Sequence, residues 1–85
     1  MATLHSIRES LSKASKFRKA IAYAKRMRDL LGDKGSLFMT FALTGLNKLK
    51  ADKSLSAEEF SKRVDAELDV LYGKYLKYRY PQAVA

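Results

Sequence analysis

The sequence predicts an all-α fold, a small domain of three helices, and three observations carry that expectation. Apolar residues recur at spacings of three and four in long segments. Capping signals and turn glycines stand where those segments should begin and end. A middle segment is apolar around nearly its whole circumference, as a buried helix would be.

The first helix is expected over about residues 3–31. It can start at Thr3 or Ser6, since Ser6-Ile-Arg-Glu9 has capping-box spacing, in which a hydroxyl accepts from the backbone and the glutamate reaches back. Gly32 can take the left-handed conformation that ends a helix, and Asp33-Lys-Gly-Ser36 reads as a turn. The apolar stripe begins as Leu4, Ile7, Leu11 and Ala14. It then drifts to Phe17, Ala20, Ile21, Ala24, Met27 and Leu31, because 100° per residue rotates it around the helix. Two outcomes fit this drift: one helix that wraps its neighbours, or two helices with a break near residues 12–16.

The second helix is expected over about residues 37–50, with Ser36 as its cap. Its sequence LFMTFALTGLNKL leaves only Thr40, Thr44, Asn47 and Lys48 as a polar edge. Two flanking helices in so short a chain leave part of that girth uncovered, so self-association through this helix is expected, most simply as a homodimer. Gly45 costs about 1 kcal/mol relative to Ala in a helix interior; close approach of another helix is one explanation for it, and sequence drift is the other.

The third helix is expected over about residues 57–79. Ser56-Ala-Glu-Glu59 is a capping box, with Leu55 and Phe60 at the positions of a hydrophobic staple. Phe60, Val64, Leu68, Leu71, Tyr75 and Tyr78 form one stripe. Acids come early and Lys74, Lys77 and Arg79 late, as the helix dipole favours. Pro81 ends the helix and residues 81–85 form a tail. In LYGKYLKYRYP, Tyr75 and Tyr78 therefore continue the core line, with Tyr72 and Leu76 at its border, and Tyr80 falls off it.

The whole chain of 85 residues is read as one domain, which at this size buries little more than about 60% of its unfolded surface. It has no cysteine, which excludes disulfides and thiolate sites and fits a reducing, cytoplasmic location. The apolar run over residues 37–46 is far short of the roughly 20 residues that span a bilayer. The N-terminal segment is rich in Ser, Arg and Ala as transit peptides are, but Glu9 interrupts it, and it is read as mature structure.

Catalytic chemistry finds no foothold. His5 is the sole histidine and has no evident acid or nucleophile beside it, and no metal-ligand cluster or glycine-rich phosphate loop is present. No enzymatic activity, cofactor or metal is expected. The stretch DKSLSAEEF resembles the end of a calcium-binding loop, yet that register puts Lys48 and Lys50 at carboxylate positions and Lys53 where glycine is needed. A helix-turn-helix reader would lead into the groove with Ala57, Glu58 and Glu59, which phosphates repel.

Charge is the strongest functional signal. The formal net charge is +8, and it is unevenly spread, with a basic first third, an acidic segment over residues 58–69 and a basic end. Lys13, Lys16, Arg18, Lys19, Lys25, Arg26 and Arg28 fall in sixteen residues without an acid. Phosphates could meet them, through largely sequence-independent counterion release; so could the chain's own acidic segment. A basic amphipathic helix could also lie on a membrane surface, but the apolar stripe is needed for the core. The expected function is non-enzymatic binding of nucleic acid, or of a complex containing it, through these seven cations, with Tyr80 left for stacking. The rival is an adaptor or inhibitor, such as a small viral or plasmid regulator, that docks on an acidic protein surface.

Overall fold

Helix α1 (Leu4–Leu31) is one unbroken helix of 28 residues, so the chain does not divide near residues 12–16. The structure, a computed structural model, describes residues 4–82. A short 3-10 turn (Gly32–Lys34) leads into α2 (Gly35–Ala51), and a five-residue connection leads into α3 (Ala57–Arg79). Among the described residues there is no strand.

Three contacts fix the topology. Glu9 accepts a hydrogen bond from the Ala57 backbone N–H at 3.1 Å, Lys16 pairs with Asp65 at 2.5 Å, and the Arg79 guanidinium donates to the Leu30 carbonyl at 2.6 Å. A separation of 48 to 49 residues recurs in all three, so α1 and α3 run parallel and in register along their length. Helix α2 returns antiparallel between the two ends, its first residue against Arg28 and its last turn beside Phe17. The bundle is a rod of 53 × 19 × 15 Å. Its radius of gyration, 14.7 Å, exceeds the roughly 12 Å of a rounded domain of this length.

The core is a single cluster drawn from every helix. Ala20, Ala24 and Met27 come from α1; Phe38, Met39, Ala42 and Leu46 from α2; Phe60, Val64 and Leu71 from α3, with Leu55 from the connection. Ala20 and Ala24 on α1, with larger residues such as Phe38, Leu46, Phe60 and Leu71 from α2 and α3 in the same cluster, let the helices approach while filling the space between them. Tyr75 and Tyr78 pack on its edge, whereas Tyr72 and Tyr80 are exposed.

The start of the α1 stripe does not join this core. Leu4, Ile7 and Leu11 are 67%, 46% and 66% exposed, and Ala14 is exposed as well. A straight helix carries these residues nearly opposite Ala20 and Ala24, so the drift leads to solvent instead of around the neighbours. Ser6 likewise is not the first residue of the helix but lies inside α1, and Glu9 reaches across to α3. The Glu9 carboxylate accepts from the first N–H of α3, where an anion is favoured by the helix dipole. The alternative start at Thr3 lies outside the described residues.

Two connections differ in how they start a helix. Gly32 has φ +62°, the left-handed conformation expected of it, and the chain re-enters helix at once. Lys34 precedes α2 in helical conformation without a side-chain cap, so Ser36 is not a cap: it lies within α2, and its carbonyl accepts from the Thr40 hydroxyl. A capping side chain needs an extended backbone at its own position, which the 3-10 turn does not provide. Ser56 has that backbone (φ −67°, ψ 166°), and its hydroxyl accepts from the Glu59 N–H at 3.1 Å, with Leu55 and Phe60 buried on either side. Ser56→Ala is therefore expected to cost about 0.5 to 2 kcal/mol, read as a lower urea midpoint at unchanged slope. Ser36→Ala should leave the midpoint nearly unmoved.

Candidate nucleic-acid interface

The seven basic residues of α1 form a line along the rod, about 22 Å from Lys13 to Arg28 at 1.5 Å per residue, but they do not share one environment. Arg18, Lys19, Lys25 and Arg26 are exposed, and none of the four makes an ion pair among the described residues. They stand as two rows, Arg18 with Lys25 and Lys19 with Arg26, each pair seven residues and about 10.5 Å apart on one side of the helix.

The other three are committed elsewhere. Lys16 is half-buried and holds Asp65. Arg28 is half-buried, its Nε 3.1 Å from the carboxylate of the adjacent Asp29. Lys13 is half-buried at a pocket near the end of α2. The acidic segment of α3 thus engages a single cation of the seven by ion pairing. Glu58 pairs within its own helix with Lys62 at 3.5 Å, and the Glu67 carboxylate lies against Gly45. That carboxylate fills the space a side chain at Gly45 would need. The pairing of Lys16 with Asp65 is partly solvated and contributes at most about 1 kcal/mol.

Tyr80 lies at the opposite end of the rod from Lys13 and Lys16. Its N–H closes the last turn of α3 on the Leu76 carbonyl at 2.8 Å, and its ring is 6.0 Å from the Arg79 guanidinium. With Arg79 bound to the last turn of α1, Tyr80 is nearer Arg26 and Arg28 than the other five cations. Two further exposed tyrosines flank the cationic side: Tyr72, stacked on Tyr75 at 6.2 Å, and Tyr23, which the 49-residue register sets level with Tyr72.

Sequence reasoning passed over Arg8, Lys50 and Lys53. Arg8 is exposed and stands eleven residues, close to three turns, before Lys19, so it extends that row. A search by helical face would have found it, while a search for acid-free runs stopped at Glu9. Lys50 and Lys53 join Lys13 at one pocket, and only the folded topology brings them there. Among the described residues no group of acidic or histidine side chains is arranged to hold a metal, and no helix is long and apolar enough to cross a membrane. The chain matches no known protein family, no curated protein and no solved structure.

Proposed function

We propose that this is a non-enzymatic, cytoplasmic nucleic-acid-binding protein that contacts phosphates through the outer side of α1, with Arg18, Lys19, Lys25 and Arg26 as its main cations. The observation that carries the reading is their freedom: four exposed cations in nine residues, in two rows, none of them in an ion pair among the described residues. Such a surface draws its affinity from released counterions and reads no particular sequence. A line of charge on a straight helix also suits the extended backbone of a nucleic acid better than a compact anion.

Replacing Lys19 and Arg26 together by Gln is expected to weaken binding to all oligonucleotides alike and to lower the slope of log affinity against log salt by about two. Fluorescence anisotropy with labelled duplex and single strands checks both. Lys16→Gln should matter less, since Asp65 already holds that ammonium. Tyr80→Ala should cost about 1 to 3 kcal/mol on single strands if a base stacks there, and nothing on duplex. No binding by the wild type at low salt, where attraction is least screened, overturns the proposal. Co-purification with one protein after nuclease treatment would then favour an adaptor or inhibitor that docks on an acidic protein surface.

We further infer self-association through α2. The other helices cover one side of it only, leaving Leu37 65%, Phe41 39% and Leu43 36% exposed, with the Lys74 ammonium over the Phe41 ring at 4.2 Å. Sedimentation should show dimer at high micromolar concentration, reduced by Leu37→Lys; a strict monomer rejects it.

A further inference from the structure

An open pocket of about 230 Å³ lies where the N-terminal half of α1, the last turn of α2 and the α2–α3 connection meet. Lys13, Lys50 and Lys53 line it, together with Ser10 and an apolar wall of Ala14, Phe17 and Phe60. The three lysines come from three different segments, so their convergence is a product of the fold and not of a basic run in the sequence.

Local causes explain Lys50 best, while Lys13 is in reach of the Asp52 carboxylate. Lys50 stands in the last turn of α2, where the dipole favours a cation, and its ammonium is 4.7 Å from the centroid of the Phe17 ring. Neither reason extends to Lys13 or Lys53, which make no ion pair among the described residues. Asp52 also lines the pocket. Its Oδ1 accepts from the Ser54 hydroxyl at 2.5 Å and from the Ser54 N–H at 3.0 Å, and these bonds hold its carboxyl below the usual range. Asp52 therefore stays ionised and offsets one of the three positive charges. Among the residues that line this concave site an excess of two positive charges remains, beside a serine and an apolar wall, and Arg63 also acts on Asp52 from outside the lining.

That charge selects among anions. A phosphomonoester carries about −1.5 to −2 at pH 7 and presents terminal oxygens to several ammonium donors at once. A backbone phosphodiester carries one charge and would leave the site half neutralised. The α3 N-terminus, another natural anion site, is already filled by Glu9.

We propose that this pocket binds a terminal phosphomonoester, held by Lys13, Lys50 and Lys53 with Ser10 donating a hydrogen bond, and that the adjoining apolar wall receives the ring or chain that bears it. A nucleic-acid end and a free nucleotide share this chemistry. The site uses residues other than the outer cations of α1, so it can hold or fail independently of the nucleic-acid reading above.

The test is an NMR titration of the ¹⁵N-labelled full chain with adenosine 5′-monophosphate, with adenosine as the uncharged control, alongside anisotropy with one oligonucleotide carrying a 5′-phosphate or a 5′-hydroxyl. Saturable shifts at the amides of Ser10, Lys13, Lys50 and Lys53 with the monophosphate, absent with adenosine, are expected. Lys50→Gln with Lys53→Gln, both at exposed positions, should weaken the monophosphate about tenfold or more, whereas Arg18→Gln with Lys25→Gln should leave it within about twofold. A preference for the 5′-phosphorylated strand that the Lys50/Lys53 variant loses assigns the site to strand ends. Monophosphate binding with no such preference assigns it to free nucleotides. Equal shifts with adenosine, or shifts spread along α1 without saturation, overturn the proposal, whatever the oligonucleotides do.

Discussion

Phe38→Ala should destabilise the domain by about 3 to 5 kcal/mol. Phe38 is wholly buried, among the largest of the fully enclosed side chains, in a cluster to which all three helices contribute. Truncation forfeits the transfer of the ring out of water and leaves a void that three helices in a narrow rod can close only in part. A chain of this length has a total stability of about 4 to 13 kcal/mol at 0.05 to 0.15 kcal/mol per residue, so the variant would lose a large share of it. Urea denaturation followed by circular dichroism should show the midpoint fall steeply at unchanged slope. Leu11→Ala is the control: a leucine 66% exposed should change stability by no more than about 0.5 kcal/mol. A loss below about 1 kcal/mol for Phe38 would mean that its face of α2 is not enclosed, and a large loss for Leu11 would mean that the core lies on the other side of α1.

The contrast between these two residues shows where the sequence stops informing. Periodicity tells which residues share a helix face; it does not tell whether another helix covers that face. Leu4, Ile7 and Leu11 have the spacing of a core stripe as well formed as that of Ala20, Ala24 and Met27, and are exposed because α1 stays straight. Helix α3 was legible from end to end because independent signals coincide there: the Ser56 cap, the Leu55 and Phe60 pair, one continuous stripe and the charge gradient. Ser36 carried only one signal, a hydroxyl at a helix start. That fails where a 3-10 turn leads into α2 without an extended residue. Glu9 has the spacing of a local partner for Ser6, but its role at the start of α3 is set by the parallel register and is invisible in the local sequence.

The same register divides the basic run. In the sequence, seven lysines and arginines are equivalent positive charges. In the bundle, Lys16 is taken by Asp65, forty-nine residues away, Arg28 by its neighbour Asp29, and Lys13 turns to the pocket with Lys50 and Lys53. The four that stay on the outer side carry the proposed interface. Acidic residues in α3 suggested broad internal neutralisation. Helical direction limits it, since Glu67 faces Gly45 of α2 and Glu58 points to Lys62 of its own helix.

Gly35→Ala should be the second large loss, about 1 to 3 kcal/mol, although helix propensity taken alone would favour Ala by about 1 kcal/mol. The backbone is not the obstacle: Gly35 has φ −62° and ψ −38°, ordinary helical values. Space is the obstacle. A Cβ there would fall against the Arg28 carbonyl oxygen and within 2.9 Å of Arg28 Cγ. That carbonyl belongs to the last turns of α1 and can retreat only if the joint between α1 and α2 opens. Gly45, ten residues on in the same helix, is the counter-case. Its Cβ would meet the carboxylate end of Glu67, 2.8 Å from Cδ, and a half-buried side chain with rotatable bonds can swing aside. Gly45→Ala is therefore expected to be neutral or to raise stability by up to about 1 kcal/mol. Thermal melts should show the midpoint lowered for Gly35→Ala and unchanged or raised for Gly45→Ala. If Gly35→Ala stabilised as Gly45→Ala does, the turn would have room for a methyl group, and Gly32 alone would set the close return of α2 onto α1.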